Sequence, residues 1–147
     1  MQPPYPLLIV DDDPEERYLL QLALNDIGWP DAALYFHSAE AALRHLALLP
    51  PGQYPSVLLL DYHMPGINGQ QMLELLKESQ SFQHLPVIIY STHLTAVLKE
   101  KLLRSGVLHC RSKVQRYAEA IEFAQWLRQL HYRTATQPSG ATPGTAI

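Results

Sequence analysis

Short apolar runs alternate along the chain with longer stretches in which apolar residues recur every three or four positions. The runs have the length of β-strands and read "PLLIV" up to residue 10, "ALYFH" at 33–37, "SVLLLD" at 56–61, "PVIIYS" at 86–91 and the weaker "VLHCRS" at 107–112. The stretches that follow have helical spacing, as in Met72, Leu73, Leu75 and Leu76, or Leu94, Val97, Leu98 and Leu102. The alternation therefore predicts five successive β-α units.

The apolar runs are continuous rather than alternating with polar residues. A continuous run is typical of a strand buried on both faces, and in a β-α chain it indicates a parallel sheet with helices on each side. Because crossover connections are right-handed, we expect an α/β fold with an open, doubly wound sheet of five parallel strands. The second and fifth runs are the least apolar, so we place those strands at the sheet edges.

Residues that begin and end helices support these boundaries. Asp13, Pro14 and Glu16 have the order of an N-cap, a first helical residue and the third residue of a capping box. Gly28 and Gly106 lie where two helices should end, since glycine readily adopts the left-handed conformation that follows a helix. We therefore interpret Asp13 as a helix cap and exclude it from the candidate functional residues.

The composition is that of one folded domain. The 147 residues are 47% hydrophobic and 17% charged, enough for a single core but too few residues for two ordinary domains. After Tyr132 the chain reads "RTATQPSGATPGTAI", which has almost no bulky apolar residue. We assign residues 1–132 to one domain and residues 133–147 to a disordered C-terminal tail.

The charge and the cysteine content limit the classes of binding partner and the cellular compartment that we expect. The net charge of −3 gives no basic surface for a nucleic acid backbone. Cys110 is the only cysteine, which is compatible with a reducing, cytoplasmic setting. The apolar run at residues 7–10 is too short for a signal peptide or a membrane span. We therefore expect a cytoplasmic protein that binds neither nucleic acid nor membrane directly.

Polar residues stand at the ends of four predicted strands. Asp11 and Asp12 follow the first run, Asp61 and Ser91 end the third and fourth, and Lys113 follows the fifth. Ligands of open parallel sheets bind at the carboxyl ends of the strands, so these side chains should share one rim. Adjacent carboxylates raise one another's pKa unless a cation lies between them, and oxygen ligands favour Mg²⁺ over Zn²⁺. A hydroxyl and an ammonium beside them suit a phosphate, so the rim predicts Mg²⁺-assisted phosphoryl transfer.

Four motifs in this order resemble the receiver domain of bacterial two-component response regulators. They are "IVDDD", "LLLDYHMPGINGQQML", "PVIIYST" and "CRSKV", and the resemblance extends over about residues 7–130. It implies a flavodoxin-like (βα)5 three-layer sandwich with strand order 2-1-3-4-5. The implied function is that of a stand-alone signalling protein within a two-component system or phosphorelay.

The resemblance also implies the role of each acidic residue. Asp61 would accept a phosphoryl group from a phosphohistidine on a histidine kinase or a histidine phosphotransfer protein. Asp12 and Asp61 would bind Mg²⁺ (or Mn²⁺) directly, joined by the backbone carbonyl of His63, and Asp11 would act through a metal-bound water. The output would pass through an unknown downstream protein.

The chain departs from the receiver pattern beside the residues expected to bind the phosphoryl oxygens, Ser91 and Lys113. Val114 replaces the proline that usually follows the lysine, so we expect a trans peptide bond and a shifted loop. Cys110 stands where receivers that signal through a threonine–aromatic couple carry Tyr or Phe. The usual aromatic readout is therefore in question.

Four residues near the expected phosphoryl position are candidates for tuning its hydrolysis or the conformational switch: His63, Thr92, His93 and Cys110. The two histidines lie two positions beyond Asp61 and Ser91, where in receivers the side chains flank the phosphoryl group. They would orient or obstruct the attacking water and make phosphoaspartate lifetime depend on pH near neutrality.

Two other functions remain open on the sequence alone. A receiver-like scaffold would keep the fold and work without phosphorylation, which the changes at Cys110 and Val114 permit. A phosphatase of the haloacid dehalogenase type would use Asp11 as nucleophile and Asp13 two residues on, but Glu15 stands where that family has Thr or Val. The receiver interpretation makes the protein a phosphoacceptor that promotes only its own phosphorylation and dephosphorylation, not an enzyme.

Overall fold

The computed structural model describes residues 5–135 and contains five strands and five helices in strict alternation. The strands are β1 (Leu7–Val10), β2 (Ala33–Phe36), β3 (Val57–Asp61), β4 (Val87–Ser91) and β5 (His109–Ser112). The helices are α1 (Pro14–Asp26), α2 (Ala39–Leu48), α3 (Gly69–Glu78), α4 (Ala96–Arg104) and α5 (Tyr117–Ala135). Each strand overlaps the run that predicted it, so the predicted element order is confirmed.

The strands form one parallel sheet in the order β2-β1-β3-β4-β5. Residues of β1, β3 and β4 are buried throughout, whereas β2 is half-buried and β5 is mixed. This confirms both the predicted strand order and the placement of the two less apolar strands at the edges. The doubly wound α/β fold follows, because central strands need apolar side chains on both faces.

Each face of the sheet has its own hydrophobic core. On one face α1 and α5 pack against strand side chains such as Ile9, Leu59 and Ile88. On the other face α2, α3 and α4 cover Val10, Leu60 and their neighbours. Because side chains alternate along a strand, neighbouring residues in the sequence enter different cores.

The structure confirms one of the two residues predicted to cap the first helix and not the other. The Asp13 side chain accepts a hydrogen bond from the Glu15 amide at 2.9 Å, which confirms Asp13 as the N-cap. Glu16 does not complete a capping box, and its carboxylate instead lies 3.2 Å from the Lys113 ammonium. That part of the prediction is wrong because an ion pair with a half-buried lysine replaces the weaker local contact. Gly28 and Gly106 follow their helices with φ of 83° and 98°, as expected for helix ends.

Two apolar residues of the helical patterns do not enter the core. Val97 and Leu75 are 79% and 44% exposed, while Leu102 and Met72 of the same helices are buried. Spacing alone did not separate the residues at the border of an apolar face from those at its centre.

The last helix is longer than the predicted domain. α5 continues to Ala135, three residues into the segment predicted as a disordered tail. The rest of that segment, residues 136–147, lies outside the described residues. Among the described helices none is long and apolar enough to cross a membrane.

Candidate functional site

The carboxyl ends of β1, β3 and β4 bring polar side chains together at one rim of the sheet. Asp61 and Ser91 are the last residues of β3 and β4, and the Asp11 amide donates to the Phe36 carbonyl at 3.0 Å, which continues the β1 register. Asp11, Asp61 and Ser91 are the buried polar residues of the described range, and each is at most 1% exposed. Because these three polar groups are buried, each needs a hydrogen-bond partner or a neighbouring opposite charge.

Three carboxylates of this rim have the arrangement of a divalent cation site. One oxygen from each of Asp11, Asp12 and Asp61 lies within 4.8 Å of the others, with Asp12 exposed and the other two buried. Hard oxygen donors of this kind suit Mg²⁺ or Mn²⁺, which commonly retain water and phosphate oxygens among their ligands. The donor set therefore fits the metal predicted from the sequence.

The Lys113 ammonium is shared among three carboxylates. Its Nζ lies 3.3 Å from Asp11, 3.2 Å from Asp61 and 3.2 Å from Glu16, and its side chain is only 7% exposed. Burial alone would lower the pKa of Lys113, but the carboxylates raise it above the ordinary value. The lysine therefore keeps its charge at neutral pH and offsets part of the repulsion within the acidic cluster.

The surroundings of Asp61 disfavour its ionised form. Burial, followed by the charge of Asp11, raises the pKa of Asp61 to about 7, against opposing contributions from Lys113 and from the His63 amide. That amide donates to Asp61 Oδ1 at 3.2 Å. The raised pKa indicates that positive charge beyond that of Lys113 is needed to hold Asp61 fully ionised.

Gly69, the first residue of α3, lets this helix approach the end of β3. A Cβ atom at Gly69 would lie 2.5 Å from the Asp61 carbonyl oxygen and 2.8 Å from Tyr62 Cα, both of them backbone atoms. The Gly69 amide donates to the Tyr62 carbonyl at 3.0 Å. A side chain here would displace the backbone that carries Asp61, which accounts for the second glycine in "MPGING".

Residues 7–125 match the family described as the response regulator receiver domain. The chain belongs to this family. Its role is that of a phosphoacceptor domain in two-component signalling, which is not the role of a classical catalytic enzyme. Receiver domains bind a divalent metal and interact with histidine kinases and downstream effectors.

Curated relatives of this receiver domain include whole proteins of very different length. The sensor histidine kinase GacS of Pseudomonas protegens is 32% identical over 104 residues, which are 69% of this chain and 11% of GacS. A CheY homolog of Campylobacter jejuni is 28% identical over 101 residues, which are 69% of this chain and 75% of that protein. Over the first four curated relatives the chain spans between 11% and 59% of their length. The shared part is the receiver domain.

Solved structures show the same fold. The Mn²⁺-bound form of the response regulator Rcp1 superposes with a TM-score of 0.73 at 18% identity, covering 90% of this chain and 98% of Rcp1. At this identity the likeness establishes the fold alone. It agrees with the flavodoxin-like arrangement expected from the sequence.

The structure places the other residues predicted for the functional site as follows. Ser91 Oγ accepts a hydrogen bond from the His93 amide at 3.3 Å, and the side chains of His63, Thr92 and His93 are exposed. Cys110 is 5% exposed, with its thiol 3.9 Å from the Lys99 carbonyl oxygen. No cis peptide bond occurs among residues 5–135, so the predicted trans bond before Val114 is confirmed.

Sequence reasoning missed two residues of this site. Tyr90 was counted as part of an apolar strand, yet its hydroxyl donates a hydrogen bond to Asp11 Oδ2. Glu16 was assigned to a capping box, yet it pairs with Lys113. The sequence did contain one signal for Tyr90: a phenol in a fully buried strand must find a hydrogen-bond partner.

Proposed function

We propose that Asp61 accepts a phosphoryl group in a reaction that depends on a divalent cation, with Mg²⁺ as the ion and Mn²⁺ as a substitute. The observation that carries this proposal is the buried Asp61 carboxylate, 3.2 Å from the Lys113 ammonium and within 4.8 Å of oxygens from Asp11 and Asp12. A nucleophile, a fixed positive charge and a metal site at one rim are what phosphoryl transfer needs.

The acidic residues divide the binding of the metal among them. Asp12 and Asp61 would hold it directly, together with the backbone carbonyl of His63, and Asp11 would act through a bound water. Both oxygens of Asp11 already accept hydrogen bonds within the protein, whereas Asp12 is exposed. That difference supports a direct role for Asp12 and an indirect one for Asp11. The cation, when bound, neutralises charge that develops on the transferred phosphoryl group.

The chain's own residues carry the transfer itself. An Asp61 carboxylate oxygen attacks the phosphorus of a phosphohistidine, an O–P bond forms, and the P–N bond breaks. The imidazole nitrogen of the partner keeps the electron pair of that bond and takes a proton from solvent. Lys113 and Ser91 hold the phosphoryl oxygens, because the first is a fixed cation and the second is a buried hydroxyl at the end of the next strand.

Four residues around this position tune hydrolysis or the switch: His63, Thr92, His93 and Cys110. The exposure of His63, Thr92 and His93 lets their side chains meet a phosphoryl group or an incoming water. Replacing both histidines with alanine should change the dephosphorylation rate and its dependence on pH between about pH 6 and 8. An unchanged rate profile would remove the histidines from this role.

The phosphoryl donor is a histidine kinase or a histidine phosphotransfer protein, and the output passes to a downstream protein. The segments that would contact it are "LTAVLKEKLLRSG" and "YAEAIEFAQWLRQL", which include α4 and the first part of α5. The exposed side chains of Val97 and Leu103 on α4 support such a contact. A cytoplasmic location stays a prediction from the sequence.

Incubation with acetyl phosphate and Mg²⁺ tests the proposal. Intact-mass spectrometry should detect one added phosphoryl group in the wild-type protein and none in Asp61→Asn. Loss of labelling in Asp11→Asn with full labelling in Asp61→Asn would instead support a phosphatase of the haloacid dehalogenase type. If Mg²⁺ with beryllofluoride changed neither the spectra nor the stability of the wild-type protein, the scaffold function would replace the proposal.

A further inference from the structure

Tyr90 is a buried phenol that contacts a carboxylate of the site from the hydrophobic core. It is 1% exposed and lies in β4 directly before Ser91, so its side chain enters the core formed with α1 and α5. Its hydroxyl donates to Asp11 Oδ2. Burial and the neighbouring Asp11 carboxylate raise the pKa of Tyr90 well above its ordinary value, so the phenol keeps the proton that it donates.

Tyr90 completes the set of donors around Asp11. Asp11 Oδ1 accepts from the Asp13 amide at 2.9 Å, and Oδ2 accepts from Tyr90 and lies 3.3 Å from Lys113 Nζ. The Lys113 ammonium is shared with Glu16 and Asp61, whereas the Tyr90 hydroxyl donates to Asp11. The phenol is therefore the side-chain donor that is committed to Asp11.

Two contacts hold the ring of Tyr90 in place. It stacks on Phe123 of α5 with ring centroids 6.3 Å apart and 14° between the planes. Lys113 Nζ lies 5.0 Å from the centroid of the Tyr90 ring. A ring fixed by packing carries a hydroxyl whose position is fixed too, which is the requirement for orienting another side chain.

We infer that Tyr90 is a positioning residue for the divalent cation site, whose hydroxyl orients the Asp11 carboxylate toward the water through which Asp11 would hold the cation. The inference rests on the proposed function, since it assigns Tyr90 to the same site. Groups that orient metal ligands in this way typically contribute roughly 10- to 100-fold to metal affinity. A phenol that served packing alone would contribute to stability and leave the affinity unchanged.

The test is a calorimetric titration of the full chain with Mg²⁺ alone. Tyr90→Phe keeps the ring, its stacking on Phe123 and its contact with Lys113, and removes only the hydroxyl. We expect its Kd for Mg²⁺ to rise roughly tenfold or more. Its phosphorylation by acetyl phosphate should be slow at low Mg²⁺ and should approach the wild-type rate when Mg²⁺ is saturating.

Tyr117→Phe is the matched control, because Tyr117 donates to the Asp26 carboxylate between α5 and α1 and contacts none of the acidic residues of the site. Its Kd for Mg²⁺ should equal the wild-type value. A double-mutant cycle gives a second test: Tyr90→Phe should have little further effect on the Kd in an Asp11→Asn background, because it acts through Asp11.

Two results would overturn the inference alone. One is a wild-type Kd for Mg²⁺ in Tyr90→Phe, whatever its melting temperature. The other is a lower Kd in that variant, which would show that the phenol competes with the cation for Asp11. A wild-type protein that neither bound Mg²⁺ nor became phosphorylated would overturn the proposed function, and the inference with it.

Discussion

The two faces of the sheet support the acidic rim in different ways. On the face covered by α1 and α5, Tyr90 donates to Asp11 and stacks on Phe123, which in turn stacks on Trp126 at 5.7 Å between ring centroids. Arg111 lies over Trp126, 4.3 Å from the ring centroid to its guanidinium carbon. On the face covered by α4, β5 contributes the small side chain of Cys110.

This difference follows from the alternation of side chains along a strand. Tyr90 and Ser91 are neighbours in β4 but point to opposite faces, so Tyr90 alone of the two enters the core formed with α1 and α5 and reaches Asp11. Receivers that switch through a threonine–aromatic couple place their aromatic residue at the position of Cys110. In this chain the stack of Tyr90, Phe123 and Trp126 lies on the opposite face, and we expect the site to depend more on that face.

The largest effect is expected when the aromatic stack is interrupted. Phe123→Ala should lower the free energy of unfolding by about 4 kcal/mol, because it removes a buried aromatic ring and leaves a cavity beneath Tyr90. It should also weaken Mg²⁺ binding, as Tyr90 loses its support. Urea unfolding and a Mg²⁺ titration measure both quantities. Phe82→Ala on the other face is the control, and an equal loss of Mg²⁺ affinity there would remove the difference between the faces.

The second-largest effect is expected for the substitution Lys113→Met. It removes the one ammonium that Asp11, Asp61 and Glu16 share, so it should lower the free energy of unfolding at about pH 8 by about 3 kcal/mol in the absence of metal. Added Mg²⁺ should recover much of that loss. Thermal unfolding with and without Mg²⁺ measures it, and a variant as stable as the wild type would show that Lys113 does not offset the acidic charge.

The metal-free protein should lose stability as the pH rises through the folded pKa of Asp61. This pKa is about 7 in the folded protein against an ordinary 3.8, so between these values the folded state binds more protons than the unfolded state. The slope should reach about 1.4 kcal/mol per pH unit between about pH 5 and 7. Chemical unfolding over this range measures it. Asp61→Asn should remove the slope, and an equal slope in that variant would assign it to other groups.

Cys110→Ala should have the smallest effect. The thiol is small and buried, so its loss should lower the free energy of unfolding by about 1 kcal/mol or less. The Kd for Mg²⁺ and the phosphorylation rate should stay at wild-type values if the α4 face contributes little to the site. A marked change in either would show that this face supports the rim as well.

Much of this molecule could be predicted from the sequence because its signals are periodic. Continuous apolar runs predicted the strands, Asp13 was recognised as a cap, and the rim residues followed from strand ends and the receiver motifs. Glu16 and Tyr90 were not assigned to the site, because their partners Lys113 and Asp11 are distant in the sequence, and no local pattern shows which residue an ion pair or a buried phenol will contact. Val97 and Leu75 follow the helical spacing and are nevertheless exposed, because spacing shows which side of a helix is apolar but not how far the core extends.

The most direct test of the account is to locate the phosphoryl group after incubation with acetyl phosphate and Mg²⁺. Reduction of the acyl phosphate with borohydride followed by peptide mass spectrometry identifies the modified residue. We predict modification at Asp61 alone, abolished when the cation is chelated. Modification at Asp11 or Asp12, or labelling of Asp61 that is independent of a divalent cation, would contradict the account.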